Sequence, residues 1–162
     1  MAAASWLVSR WTNDPMNTSI SVLLERKGRA TVSVASDVIV SDAAREMKRR
    51  NVGSVLVMEG GKLVGIFTER DLLWRVVAAD KDPGATRLSE VMTRDPMTVD
   101  SNTPIQQVMD AFTEKRFRHM PVLDDGQLRG LISIGDVLRW SSDVHRLEAE
   151  QLKQYITGGY QP

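Results

Sequence analysis

Two aspartates in this chain each stand three positions after a hydroxyl residue: Asp71 after Thr68, and Asp136 after Ser133. A hydroxyl where a strand gives way to a helix sits beside free backbone N–H groups and can meet a phosphate there. A carboxylate one turn further on can accept both hydroxyls of a ribose. The two pairs therefore read as contacts to phosphate and sugar. Each residue also has a plainer role. Thr68 and Ser133 are suited to capping the helix that follows, and Asp71 and Asp136 fall in a first helical turn, where a carboxylate complements the helix dipole.

A repeated unit must position them. Gly65-Ile66-Phe67-Thr68-Glu69-Arg70-Asp71 returns 65 positions later as Gly130-Leu131-Ile132-Ser133-Ile134-Gly135-Asp136. The offset holds without a gap well beyond the motif: Val34 matches Val99, Ser36 matches Ser101, Val57 matches Val122, Gly61 matches Gly126 and Leu73 matches Leu138. Self-similarity at a fixed period decides the architecture before any local reading does. We divide the chain into a lead-in segment (1–19), repeat one (20–80), repeat two (86–145) and a C-terminal helix extension and tail (146–162).

Each repeat follows one grammar. In the first, residues 30–34 read as a strand. A helix from about Ser41 to Arg50, with Ser41 as N-cap, has Val40, Ala43, Ala44 and Met47 recurring at helical spacing. Two apolar runs flank the turn 59–62 as a hairpin, and a helix from Glu69 to about Ala79 turns Leu72, Leu73, Val76 and Val77 to one side. In the second, Thr98-Val99 is a short strand and Thr103 caps a helix with Pro104 at its first position. Residues 120–123 and 128–133 form the hairpin, and a final helix from Gly135 to about Tyr155 carries Val137, Leu138, Val144, Leu147 and Leu152 on or near one side. Residues 80–86 are a loop by their turn signals. The fold class is α+β: two strand–helix–strand–strand–helix units, neither able to cover both faces of its sheet, packed sheet to sheet.

Composition narrows the function. The 162 residues suit one compact domain or two small units sharing a core. Basic and acidic residues number 21 each, so no global charge directs the chain to nucleic acid or an anionic membrane. Lys48-Arg49-Arg50 ends a helix, where cations are favoured anyway. With no cysteine there is no disulfide, thiol catalysis or cysteine zinc site, which fits a reducing compartment. Two histidines do not suggest a metal centre. No apolar run approaches the ~18 residues of a membrane helix. The first ten residues lack the basic start of a secretory signal, and Asp14 argues against a transit peptide. We expect a cytoplasmic protein with an amphipathic lead-in that packs Trp6, Leu7 and Trp11. No Ser/His/Asp spacing, Walker-type loop or hydrolase carboxylate pair is present, so no catalytic residue is assigned.

At this point the residues resemble a known family. Val64 to Asp71, Val91-Met92-Thr93, Phe117 to Val122 and Ile132 to Asp136 are similar to the CBS domain, named for cystathionine β-synthase. Roughly residues 20–145 resemble a stand-alone tandem pair of the small bacterial and plant type. The resemblance implies a pseudo-twofold Bateman module with two clefts, binding adenosyl ligands such as AMP, ADP, ATP, NAD(H) or S-adenosylmethionine. It puts Thr68 and Ser133 near phosphate, and Asp71 and Asp136 on ribose. Adenine would lie beside Pro96, Met97 and Thr98 for the Asp71 cleft, and beside Arg29, Ala30, Thr31 and Val32 for the Asp136 cleft. Arg118 and His119 would reach the phosphate at Asp71.

The copies differ in charge. Arg118 and His119 match Gly53 and Ser54 in the first copy, and Arg70 matches Gly135. Cations thus gather at Asp71, which we expect to serve the tighter site, with Lys27 or Arg29 compensating at Asp136. The resemblance further implies a homodimer joined through helices, with Met47, Leu72, Val76, Ala111 and Trp140 as candidate anchors, acting on a regulated partner protein. Three readings follow: an adenine-nucleotide sensor that modulates that partner, a homodimeric scaffold with vestigial clefts, and a minor nucleotide-processing enzyme.

Overall fold

The computed structural model describes residues 17–28 and 30–158. These form two compact units, one from residues 30–100 and 119–131, the other from 17–28, 101–118 and 132–158. The lead-in residues Trp6, Leu7 and Trp11, the binding candidate Arg29 and the end of the tail lie outside the described residues.

In the first unit the two apolar runs close on Gly60-Gly61, whose φ values of 53° and 78° are the left-handed ones a tight hairpin demands. Strand β2 (Ser54–Glu59) runs antiparallel to β3 (Lys62–Thr68). Strand β1 (Ser33–Ala35) adds in parallel with Val34 opposite Val57, and β4 (Thr93–Arg94) completes the four-stranded sheet beside β3. Gly65 permits that last pairing. A Cβ there would stand 2.4 Å from the Met92 sulphur and 3.0 Å from the Thr93 carbonyl oxygen. Helix α2 (Val40–Arg50) buries Val40, Ala43 and Met47 in one core with Val57, Phe67, Val76 and Leu88. Each of the valine, leucine, methionine and phenylalanine side chains here contributes roughly 1.5–3 kcal/mol by leaving water.

The same unit holds the hairpin of the second copy, β5 (His119–Asp124) and β6 (Gln127–Ser133), the latter up to residue 131. Val99 bridges Val122 in parallel, one period after the Val34–Val57 pair. The strand expected at Thr98-Val99 contracts to this bridge. In the first copy the Leu56 N–H donates to the Val32 carbonyl at 2.9 Å. One period on, the residue is Pro121, which has no N–H to give.

Helix starts depart from the sequence reading. Neither Ser41 nor Thr103 caps a helix: α2 begins after Ile39, and α5 (Ile105–Lys115) begins after Pro104, both without a side-chain cap. Main chain satisfies them instead. The Val40 N–H donates to Thr86 and the Ile105 N–H to Thr18, each at 2.9 Å, while Leu88 and Ile20 donate back to Val38 and Thr103. Two short helices that the sequence reading missed follow these bridges: α4 (Leu88–Val91) and α1 (Ile20–Lys27). So α1, which opens repeat one, is tied to the helix of repeat two, and α4, which opens repeat two, to the helix of repeat one. This exchange is why the compact units do not follow the two halves of the chain.

The helix expected from Glu69 to Ala79 is one turn, α3 (Glu69–Asp71), continuing as π-helix over Leu72–Val77. Only Val76 is fully buried there, whereas Leu73 and Val77 are 55% and 58% exposed. In the second unit α6 (Ile134–Gly158) buries Val137, Trp140 and Val144 at helical spacing, alongside Ile20, Leu23 and Leu24 of α1 and Ile105, Val108 and Phe112 of α5. Leu138, Leu147 and Leu152 of the same helix are exposed. Of the proposed dimer anchors, Met47, Val76 and Trp140 are committed to the cores of their own units and have little surface to offer a second copy. No helix among the described residues is long and apolar enough to cross a membrane.

Candidate functional site

The two hydroxyl–aspartate pairs have the same internal geometry. At the end of β3, the Thr68 N–H and hydroxyl donate to Asp71 Oδ2 at 3.0 and 2.7 Å, and the Asp71 N–H returns to the Thr68 hydroxyl at 3.2 Å. At the end of β6, the Ser133 N–H and hydroxyl donate to Asp136 Oδ2 at 2.8 and 2.7 Å, with the return bond at 3.3 Å. Both are reciprocal caps at a helix start.

Their second oxygens differ. Asp71 Oδ1 accepts from the Thr93 hydroxyl at 3.3 Å and pairs with Arg75 Nε at 3.3 Å. Arg75 in turn donates to the carbonyls of Val91 and Met92 at 3.1 and 2.7 Å. Asp71 is only 7% exposed. Its acceptors are occupied from within its own unit, and it ties β3, β4 and α4 together.

Asp136 accepts three donors on Oδ2, because Lys27 Nζ adds to the Ser133 pair at 2.6 Å, and no described residue donates to Oδ1. The carboxylate borders a cavity of about 320 Å³ between α1 and α6, at the small end of ligand-sized pockets. Leu23 and Trp140 supply apolar wall; Arg26, Lys27 and Arg139 supply three cations against Asp136 and Asp143. Arg26 is held by Asp143 at 3.1 Å and lies 5.2 Å over the Trp140 ring. Arg139 makes no ion pair or hydrogen bond with a described residue. Burial opposes the charged form of Asp136, but the Lys27 ammonium together with the Ser133 N–H and hydroxyl outweighs it and holds the carboxyl below its ordinary value.

The expectation that cations favour Asp71 meets a different distribution. Arg70 stacks 5.4 Å over the Trp74 ring. His119 opens β5 in the same unit as Asp71, where a Cβ on Gly53 would lie 3.6 Å from its ring and 3.2 Å from a Glu69 carboxylate oxygen. Arg118 belongs to the other unit and gives its carbonyl to the Ile134 N–H at 2.9 Å. Pro96, Met97 and Thr98 lie outside regular secondary structure in the Asp71 unit, with Met97 and Thr98 exposed. Ala30, Thr31 and Val32 lead into β1 in that same unit, while Lys27, Ser133 and Asp136 share the other. Sequence reasoning missed Arg75, Thr93, Arg26, Arg139 and Asp143. Arg75 was within reach, four positions after Asp71 on one helix. Arg26 and Asp143, 117 positions apart, carried no local signal.

The comparisons with known proteins agree on one family. The family model described as the CBS domain matches twice, at residues 28–78 and 88–143. The chain is 35% identical over 153 residues to the mitochondrial CBS domain-containing protein CBSX3 of Arabidopsis thaliana, covering 89% of this chain and 74% of that protein. A crystal structure of a CBS-domain containing protein from Agrobacterium tumefaciens superposes with TM-score 0.72 at 39% identity, over 75% of this chain and 98% of that one. A CBS domain pair solved with 5′-methylthioadenosine and S-adenosyl-L-methionine shares the fold at TM-score 0.67 and 24% identity, over 75% and 98%. Two matched copies in one α+β chain, with such relatives, make this protein a member of the CBS-domain family carrying the domain as a pair.

Proposed function

We propose that this chain is a regulatory module that binds an adenine nucleotide at Asp136 and passes the bound state to a partner protein as a change of conformation. The single observation behind this reading is Asp136, whose Oδ1 accepts from no described residue, in the wall of a cavity that also holds Arg139 with no described carboxylate partner. One oxygen is anchored to the fold and the other is left for a ligand hydroxyl, which is what ribose recognition requires. The adenosyl ligands of the structurally similar pair support the ligand class. Asp71, its acceptors filled from within, is read as the structural twin of this site. Binding without turnover fits a cleft that offers no nucleophile beside a general base. The protein works as a homodimer in the cytoplasm in this reading, with Leu73, Trp74 and Val77 as its exposed apolar face.

Thermal unfolding with AMP, ADP, ATP, NAD and S-adenosylmethionine tests the proposal. A ligand at 100 times its Kd adds about 2.7 kcal/mol to stability, so at least one should raise the midpoint clearly, and Asp136→Ala should remove the rise. A flat response to all five would turn the assignment to the scaffold reading, which the exposure of Leu73, Trp74 and Val77 at 55%, 64% and 58% favours.

A further inference from the structure

We infer that the Asp136 cleft is built for a single phosphate: Arg139 receives it, and a second or third finds no uncommitted cation, so the site prefers AMP to ADP and ATP. The inference rests on the reading of Asp136 as the ribose acceptor. Asp136, Arg139 and Asp143 of α6 follow one another along the cavity, spaced by three and four residues, or about 4.5 and 6 Å of helix rise. A ribose held at Asp136 carries its 5′ substituent one turn along the helix, to Arg139. Any further phosphate continues toward Asp143.

The cations of the cavity decide how many phosphates it can hold. Lys27 is bound to Asp136 at 2.6 Å. Arg26 donates to Asp143 Oδ2 at 3.1 Å and lies 5.2 Å over the Trp140 ring. Asp143 also faces Arg146 at 3.7 Å, but that side chain is well exposed and lies outside the cavity wall, where an ion pair is worth little. Among the described cations of the cavity, Arg139 is the one with no ion pair or hydrogen bond. Its planar fork can meet one phosphate through two parallel, charge-assisted bonds. A second phosphate arrives where the nearest guanidinium, Arg26, is already held by a carboxylate, and it gives up water without an equal return. Size acts in the same direction, since about 320 Å³ is small for a ligand cavity. Discrimination of this kind arises from the polar groups that the wrong ligand leaves unmatched.

Calorimetry of AMP, ADP and ATP in metal-free buffer tests it, with the heat that Asp136→Ala abolishes taken as the signal of this cleft. The wild type should bind AMP more tightly than ATP by roughly tenfold or more, the worth of one hydrogen bond to a charged group, with ADP between them. Asp143→Asn frees Arg26 for a second phosphate and should close most of that gap. Arg139→Met should weaken AMP by roughly tenfold or more, and Arg139→Lys should recover part of the loss, which an arginine with a merely structural role would not show. Arg139 is exposed and Asp143 partly so, and the fold should survive; circular dichroism verifies this, and Asp143→Ser replaces the Asn variant if it does not. A wild type that binds ATP as tightly as AMP, an unchanged gap in Asp143→Asn, or intact AMP affinity in Arg139→Met would overturn the single-phosphate reading while leaving the cleft. If no ligand gives heat that depends on Asp136, the reading of the cleft itself fails and this inference with it.

Discussion

Asp71 and Asp136 occupy the same place in two copies of one motif, and the fold uses them for different ends. Asp71 is enclosed, with Thr68 on one oxygen and Thr93 and Arg75 on the other, and it joins three elements of its unit. Asp136 has one oxygen crowded by Ser133 and Lys27, the other accepts from no described residue, and the residue lines a cavity. A duplicated motif therefore duplicates a geometry, not a role. The role is fixed by what reaches the second oxygen, and that comes from elsewhere in the chain.

The sharpest way to break this comparison is by stability. Asp71→Ala strips partners from Thr68, Thr93 and Arg75 around a carboxylate that is only 7% exposed, so it should cost about 2–4 kcal/mol. Asp136→Ala leaves its neighbours open to solvent and should cost about 1 kcal/mol. Urea unfolding of the two variants checks this, and equal losses would mean the two sites do the same structural work. Nucleotide binding should invert the order. Asp136→Ala should weaken AMP by about 1.5–3 kcal/mol, two hydrogen bonds' worth, while Asp71→Ala leaves it largely intact by calorimetry. The reverse result would restore the cation count on the motif itself as the better guide.

The helices beyond the two aspartates extend the contrast. Leu73 and Leu138 are equivalent and similarly exposed, at 55% and 53%. Trp74 and Val77 flank the first, where Arg139 and Ser142 stand beside the second. Leu73→Glu should therefore shift a dimer to monomer in light scattering at micromolar concentration, and Leu138→Glu should do so far less. Each should change monomer stability by only about 0.5 kcal/mol, as is usual for surface positions. A dimer untouched by Leu73→Glu would exclude this face.

The smallest effect is in the pH profile. The folded-state carboxyl of Asp136 titrates below its ordinary value, so its contribution is present above the unfolded value, near 3.9, and disappears as pH falls through the lower folded one. Asp136→Asn should lower stability at neutral pH by about 1 kcal/mol or less and flatten the acid limb of the profile. An unchanged acid limb would show that the Lys27 contact is not held in solution.

The period of 65 residues, the hairpins at Gly60-Gly61 and Gly126, the helices of both copies and the two hydroxyl–aspartate pairs were legible in the sequence, because each rests on residues close together in the chain. Turn chemistry, apolar spacing and a self-match need no knowledge of what lies across the fold. Helix capping was misread for a physical reason: the carbonyls of Thr86 and Thr18 satisfy the first N–H groups of α2 and α5, and they come from the lead-in of the opposite repeat. The charge at the two sites divides in the same way, and Lys27, named as a cation for Asp136, does pair with it. Counting cations within the motif favoured Asp71, whereas Arg70 stacks on Trp74 and the Lys27 named for Asp136 reaches it across 109 residues of chain. A sequence fixes the side chains a turn presents. Only the packing of distant helices decides which charges meet them, because Coulomb attraction and hydrogen bonding depend on separation in space and not along the chain.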